Sequence, residues 1–165
     1  MREILVALVL VTGTVASAQG HAVWGEAGGW RILVDPSTGN GCLAERAFED
    51  GTLVQIGTDP SREGGFFAAY NADWTNIEDG APGVVNFDFG DARFAGDVLG
   101  KIYNTLPGGY AFFDNPSFVA EFAKRRSVKV SGESGRIIEI NLTGTAKAIE
   151  TVLKCQGEQP DPSAD

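Results

Sequence analysis

The chain has 165 residues, a formal net charge of -9, a pI near 4.5 and 43% hydrophobic residues. That length supports one domain with a buried core, and the composition excludes a disordered chain. The acidity is concentrated, with ten acids against two arginines between Glu49 and Asp97, which disfavours nucleic acid as a partner and anionic membranes as a docking surface.

At the start of the chain, Arg2 is followed by the apolar run 4–11 and by the small residues Ala16, Ser17 and Ala18, the order of a secretory signal peptide. This predicts cleavage after residue 18. The apolar run is shorter than the roughly 20 residues of a bilayer span, so the expected product is soluble, periplasmic or secreted, without stable membrane insertion. It comprises a single β-rich domain, 19–156, and a disordered acidic tail, 157–165. The two cysteines, Cys42 and Cys155, stand near opposite ends of that domain, and export to an oxidising compartment predicts that they pair.

Within the domain, Trp30, Ile32 and Val34 alternate with Arg31, the period of a half-buried strand. Gly39, Asn40 and Gly41 turn the chain into a Cys42 strand, and Asp50-Gly51 predicts a tight hairpin between 43–48 and 52–56. Polar loops follow at 58–65 and 71–83, the second containing Asp73 and Trp74. Val85, Phe87 and Phe89 alternate again. Phe94, Val98 and Ile102 suit either a helix or one strand face, and Gly96 and Gly100 favour the strand, because glycine costs a helix interior about 0.5 to 1 kcal/mol. Asn115 as N-cap and Pro116 at the first helical position open a helix that buries Phe118, Val119 and Phe122. Lys124, Arg125 and Arg126 end it, where cations complement the helix dipole. Strands follow at Val128 and Val130, then, after Glu133-Ser134-Gly135, at Ile138, Ile140 and Leu142. The last helix runs from Thr143 or Thr145 to Cys155, with Ile149, Val152 and Leu153 inward. The fold class is α+β and mostly β. It is an antiparallel sheet or sandwich of about seven or eight strands with two helices, the C-terminal one tethered by the disulfide.

Catalytic signatures are sparse. Nucleophilic catalysis needs a base beside a serine, threonine or cysteine, and the sole histidine, His21, falls at the expected frayed start of the mature chain. Cys42 and Cys155 lack the C-x-x-C spacing of redox or metal pairs. Asp73, Glu78, Asp79, Asp88, Asp91 and Asp97 supply carboxylates for a glycosidase, but spacing selects no pair. Asn71, Asp73 and Asn76 fail the order of a calcium loop. No catalytic residue, metal or cofactor is therefore assigned. Most aromatics belong in a core, and the ligand-binding candidates are Tyr70, Asp73 and Trp74, because they adjoin a turn-rich loop.

The segments Gly29-Trp30-Arg31-Ile32 and Cys42-Leu43-Ala44-Glu45, with 138–142 leading into Gly144-Thr145-Ala146 and Ala148, make the chain resemble the exported bacterial invasion-associated locus B proteins. The resemblance implies a periplasmic or secreted β-rich protein without an established active site, acting in the envelope or at a host surface. It carries over no residue-level role. The leading expectation is a non-enzymatic binding or envelope-associated protein whose partner is a protein or envelope component. The alternatives are a secreted hydrolase inhibitor presenting the loop 59–64 and a carboxylate-dependent glycan hydrolase.

Overall fold

The computed structural model describes residues 20–115 and 117–160. The expected signal peptide, the Pro116 helix start and the tail from residue 161 lie outside the described residues. Among the described residues the elements run β1 Ala22–Ala27, β2 Trp30–Asp35, β3 Gly41–Ala47, β4 Leu53–Asp59, β5 Gly64–Tyr70, β6 Pro82–Asp88, β7 Arg93–Tyr103, β8 Leu106–Phe113, α1 Phe118–Ala123, β9 Ser127–Gly132, β10 Ile137–Asn141 and α2 Thr145–Gly157. They form one antiparallel sheet in the order β1-β2-β3-β4-β5-β8-β7-β6-β9-β10.

Among the described residues ten strands replace the expected seven or eight, and they form one hydrogen-bonded sheet with helices packed against it. The strands that alternation fails to reveal are β1, β5 and β8. In β5 the sequence Gly-Gly-Phe-Phe-Ala-Ala-Tyr is buried throughout because both faces are covered, which erases the period-two contrast. In β8 the Pro-Gly-Gly run reads as a turn. Residues 93–103 do form a strand, as their glycines indicate.

Both helices lie on one face of the sheet. Ala148, Ile149 and Val152 of α2 and Phe118, Val119 and Phe122 of α1 join a core with Trp30, Ile32, Val54 and Ile56. Leu153 points the other way and is exposed, contrary to its expected inward position. Phe67 and Phe122 stack at 5.5 Å, and Phe118 meets Phe87 at 5.5 Å and Phe113 at 3.6 Å; such pairs add about 0.5 to 1.5 kcal/mol each beyond area burial. The first α-helical residue is Phe118, later than the Asn115 cap predicts. Asn115 instead closes a turn just before it, its Oδ1 accepting the Ser117 N–H at 3.0 Å and its carbonyl accepting the Phe118 N–H at 2.9 Å. The basic cluster after α1 is structural: Arg125 pairs with Asp91 and Glu121, both at 2.7 Å, and Lys124 pairs with Glu121 at 2.6 Å.

The opposite face carries a second cluster of Leu33, Leu43, Phe66, Ala68 and Tyr70, flanked by Leu53, Tyr103, Leu106 and Tyr110. Strands β3 to β5 are thus covered on both sides.

Four contacts fasten α2 and the residues leading into it to the first strands. Cys42 on β3 and Cys155 on α2 are joined as a disulfide with Cα atoms 6.0 Å apart. At the next residue, Gln156 Oε1 accepts the Cys42 N–H at 2.9 Å and the Thr58 hydroxyl, and α2 continues through Gly157, the expected first residue of the tail. At the other end of α2, Gly144 packs on Gly28 of the β1–β2 turn; both have positive φ, 84° and 60°. A Cβ on either would enter the other's backbone, so the approach requires glycine at both positions. Arg46 also reaches across, donating from Nη1 to the Thr143 carbonyl at 3.2 Å.

Candidate functional site: an apolar cleft beneath the 71–81 loop

The inner face of the sheet narrows along three strands. Reading alternate residues toward one end, β6 runs Phe87, Val85, Gly83, and β8 runs Phe113, Ala111, Gly109. β7 runs Phe94, Gly96, Val98, Gly100, and the register places Phe87 beside Phe94 and Gly100 beside Gly109. The phenylalanine end is filled by α1. The glycine end is uncovered by either helix and opens a cavity of about 380 Å³, within the size range of small-ligand sites. Its floor is Val85, Val98, Val130 and Ile138, and Trp74 and Ile77 border it from the loop.

The loop is fastened at both ends. Asn71 is buried; its Nδ2 donates to Thr52 Oγ1 at 3.0 Å and the Asp50 carbonyl at 3.2 Å, while its Oδ1 accepts the Asp73 N–H at 2.9 Å. At the far end Gly80 N–H donates to the Gly100 carbonyl at 2.8 Å, Gly100 N–H donates to the Ala81 carbonyl at 2.7 Å, and Asp79 Oδ1 accepts the Ile102 N–H at 3.0 Å. Trp74 packs on the edge of the core, half-buried, so its ring forms a fixed wall. The polar residues around the cleft include Asp73, Glu78 and Glu133 against a single cation, Arg136.

Of the three candidate ligand-binding residues, Asp73 and Trp74 come together here and Tyr70 does not. Tyr70 is 2% exposed on the other face of the sheet, its ring 5.2 Å from that of Tyr103. Burial raises the pKa of its phenol, and Tyr103, Asp35 and Glu45 add to the effect. Sequence reasoning missed Val98, Val130, Ile138 and the glycines, because nothing in the linear pattern says which strand ends the helices leave bare.

Of the carboxylates considered for hydrolysis, Asp73 and Glu78 border the cleft, and Asp79, Asp88 and Asp91 serve the fold. Asp88 Oδ2 holds Arg93 at 3.1 Å, Asp91 holds Arg125, and Asp79 caps Ile102. The hydrogen bond from Arg125 keeps Asp91 below the ordinary carboxylate range, and Lys124 and Arg125 do the same to Glu121. In the loop 59–64, Arg62 lies over the Phe112 ring at 3.6 Å. Among the described residues no group of three histidine, cysteine or acidic side chains converges on a metal position.

His21 is held against the sheet, not frayed. Its Nε2 is 3.3 Å from Asp35 Oδ2, its Nδ1 is 3.1 Å from the Tyr103 hydroxyl, and its ring stacks on Tyr103 at 5.3 Å. The phenol of Tyr103 is pushed up by burial and by the charge of Glu45, 3.4 Å away, so it stays a donor. The hydroxyl next to Asp35 belongs to Ser37, which donates to Oδ1 at 2.7 Å. The carboxylate thus separates Ser37 from the imidazole, so this set ties the N-terminal segment down and lacks the nucleophile-to-base contact of a triad.

No family model matches the chain, and no curated protein matches it. Among solved structures, the chain is similar to the crystal structure of invasion associated protein B from Bartonella henselae, at a TM-score of 0.55 and 12% identity, over 81% of this chain and 97% of that one. The fold-level likeness to that protein matches the resemblance seen at the two ends of the sequence, and at this identity it is the fold that the two share.

Proposed function

We propose that this protein is an exported, non-enzymatic binding protein whose cleft beneath the 71–81 loop takes an aliphatic group bearing a positive charge. The observation that carries the reading is the glycine end of the inner face, which neither helix fills and which leaves an apolar hollow of about 380 Å³ under the 71–81 loop. Such a hollow is a binding site by default physics: apolar walls supply the driving force, and a few polar groups at the mouth select. Three carboxylates against one guanidinium at that mouth favour a cation over an anion of equal chain length.

Export is supported by the disulfide, which persists in oxidising compartments, and by the likeness to a protein described as invasion associated. Among the described residues no helix is long and apolar enough to cross a membrane. The partner class that fits is a basic protein or envelope component presenting an aliphatic group.

Tryptophan fluorescence with decylamine and decanoate, below aggregation, tests the reading. Saturable change with the amine, at least about tenfold tighter than with the acid and abolished in Val98→Phe, which grows into the hollow, is the expected result. No saturable change with either probe, or equal response in Val98→Phe, rejects it.

A further inference from the structure

The two edges of the sheet differ. β1 carries a register shift between Val23 and Gly25, the kind of bulge that spoils an edge for further pairing. β10 pairs with β9 over five regular positions, Ile137 to Asn141, with no bulge, proline or lysine, and Ile137 is 65% exposed.

Ladder geometry says which groups β10 leaves open. Leu142 N–H donates to the Arg126 carbonyl at 2.8 Å, so Leu142 and Arg126 are a hydrogen-bonded pair. Such pairs alternate in an antiparallel ladder. Ile140 with Val128 and Ile138 with Val130 are therefore bonded to β9, and Ile137, Glu139 and Asn141 turn their N–H and C=O groups to the outer edge. Beyond that edge lies a gap of about 420 Å³, bounded on its far side by Phe48, Glu49 and Asp50 of the β3–β4 hairpin. The cation lining it, Arg46, is engaged: it donates to the Thr143 carbonyl and lies 5.1 Å from the Phe48 ring centroid. Glu139, Glu49 and Asp50 leave the gap acidic.

β9 already shows what β10 accepts. Lys129 stands opposite Glu139, and Val128 and Val130 stand opposite Ile140 and Ile138. A strand on the other edge meets the same side chains with the same alternation, and it meets extra acids from the hairpin.

We propose that the open edge of β10 binds an extended segment of a partner protein in which a basic residue stands between two aliphatic ones. The segment's main chain pairs with Glu139, its cation lies on the outer face with the Glu139 carboxylate, and its aliphatic side chains lie beside Ile138 and Ile140. Main-chain bonds give affinity and the alternate side chains give selectivity, as in strand addition generally. The site stands on β10 and the hairpin, and it does not require the cleft to be filled.

The probe is a blocked peptide with the β9 sequence, Ser-Val-Lys-Val-Ser-Gly, added to the oxidised, isotope-labelled protein, with Ser-Val-Glu-Val-Ser-Gly as its counterpart. The lysine peptide is expected to shift the Ile137, Glu139 and Asn141 amides saturably and to slow exchange of the Glu139 N–H, binding about fivefold or more tightly than the glutamate peptide. In Glu139→Lys the preference reverses. If that variant misfolds, the two peptides on the unaltered protein still decide. Absence of shifts at these amides at millimolar peptide, or equal binding of both peptides, overturns the proposal. The decylamine experiment turns on Val98 in the cleft and the peptide experiment on the β10 amides, so failure at the cleft and failure at the edge are separate results.

Discussion

The polar anchor on the outer face shows how single residues set the pH response. Burial raises the Asp35 pKa, but hydrogen bonds from His21 and Ser37 outweigh it and hold the group below its ordinary value of 3.8. A carboxylate with a depressed folded pKa contributes stability above its unfolded pKa and loses it as pH falls through the folded value. Asp35→Asn should therefore lower the urea midpoint near pH 7 and flatten the acid limb below about pH 4, so that variant and parent converge in acid. Curves that stay parallel across that range would show that Asp35 carries no titrating contribution. The anchor was illegible in sequence for a physical reason: His21 stands just before β1, and its ring is fixed by Asp35 and by Tyr103, the latter more than eighty positions away.

At the level of elements, the disulfide and Gln156 bind α2 to β3 across a sequence separation of 113. Closing a loop of that size removes denatured-state entropy worth about 5 kcal/mol in the chain-entropy model, comparable with the whole stability of a small domain. Cys42→Ala with Cys155→Ala is expected to cost about 3 to 5 kcal/mol, measured as the change in unfolding free energy against the oxidised parent. A loss below about 1 kcal/mol would mean that the packing of Ile149 and Val152 alone keeps the helix in place. The pairing itself was legible, since two cysteines in a chain with an export-like start leave one partner each. Both helices were legible too, from Phe118, Val119, Phe122, Ile149 and Val152. Strands with one wet face, such as β6 and β9, announce themselves by alternation. β5 does not, because the Leu33–Tyr70 cluster covers its second face, and β8 hides behind Pro107, Gly108 and Gly109. The cleft needed more than elements: the Phe-to-Gly narrowing is present in the sequence of each strand, yet it becomes a hollow only when register sets Gly100 beside Gly109.

For the whole molecule, the two-sided covering of β3 to β5 predicts an uneven distribution of stability. β7 has a hydrogen-bonded neighbour on each side, β8 and β6, and by ladder position alone it should be as protected as β4. Its residues, however, alternate between exposed and half-buried, with none buried, and Gly96 and Gly100 give it little to pack. β3 to β5 bury nearly every residue, between the helices on one face and the Leu33, Leu43 and Phe66 cluster on the other. Opening β7 therefore exposes less apolar surface than opening β4, and local opening free energy follows that difference. Native-state hydrogen exchange should find the paired amides of β3 to β5 slowest and those of β7 and β10 at least about tenfold faster. The ordering matters for binding, because the faster half contains the cleft floor and the open edge. A ligand in the cleft should slow exchange in β6 and β7 while leaving β3 to β5 unchanged. Uniform protection across all ten strands would instead mean that the sheet opens as one unit and that the outer cluster adds no local stability.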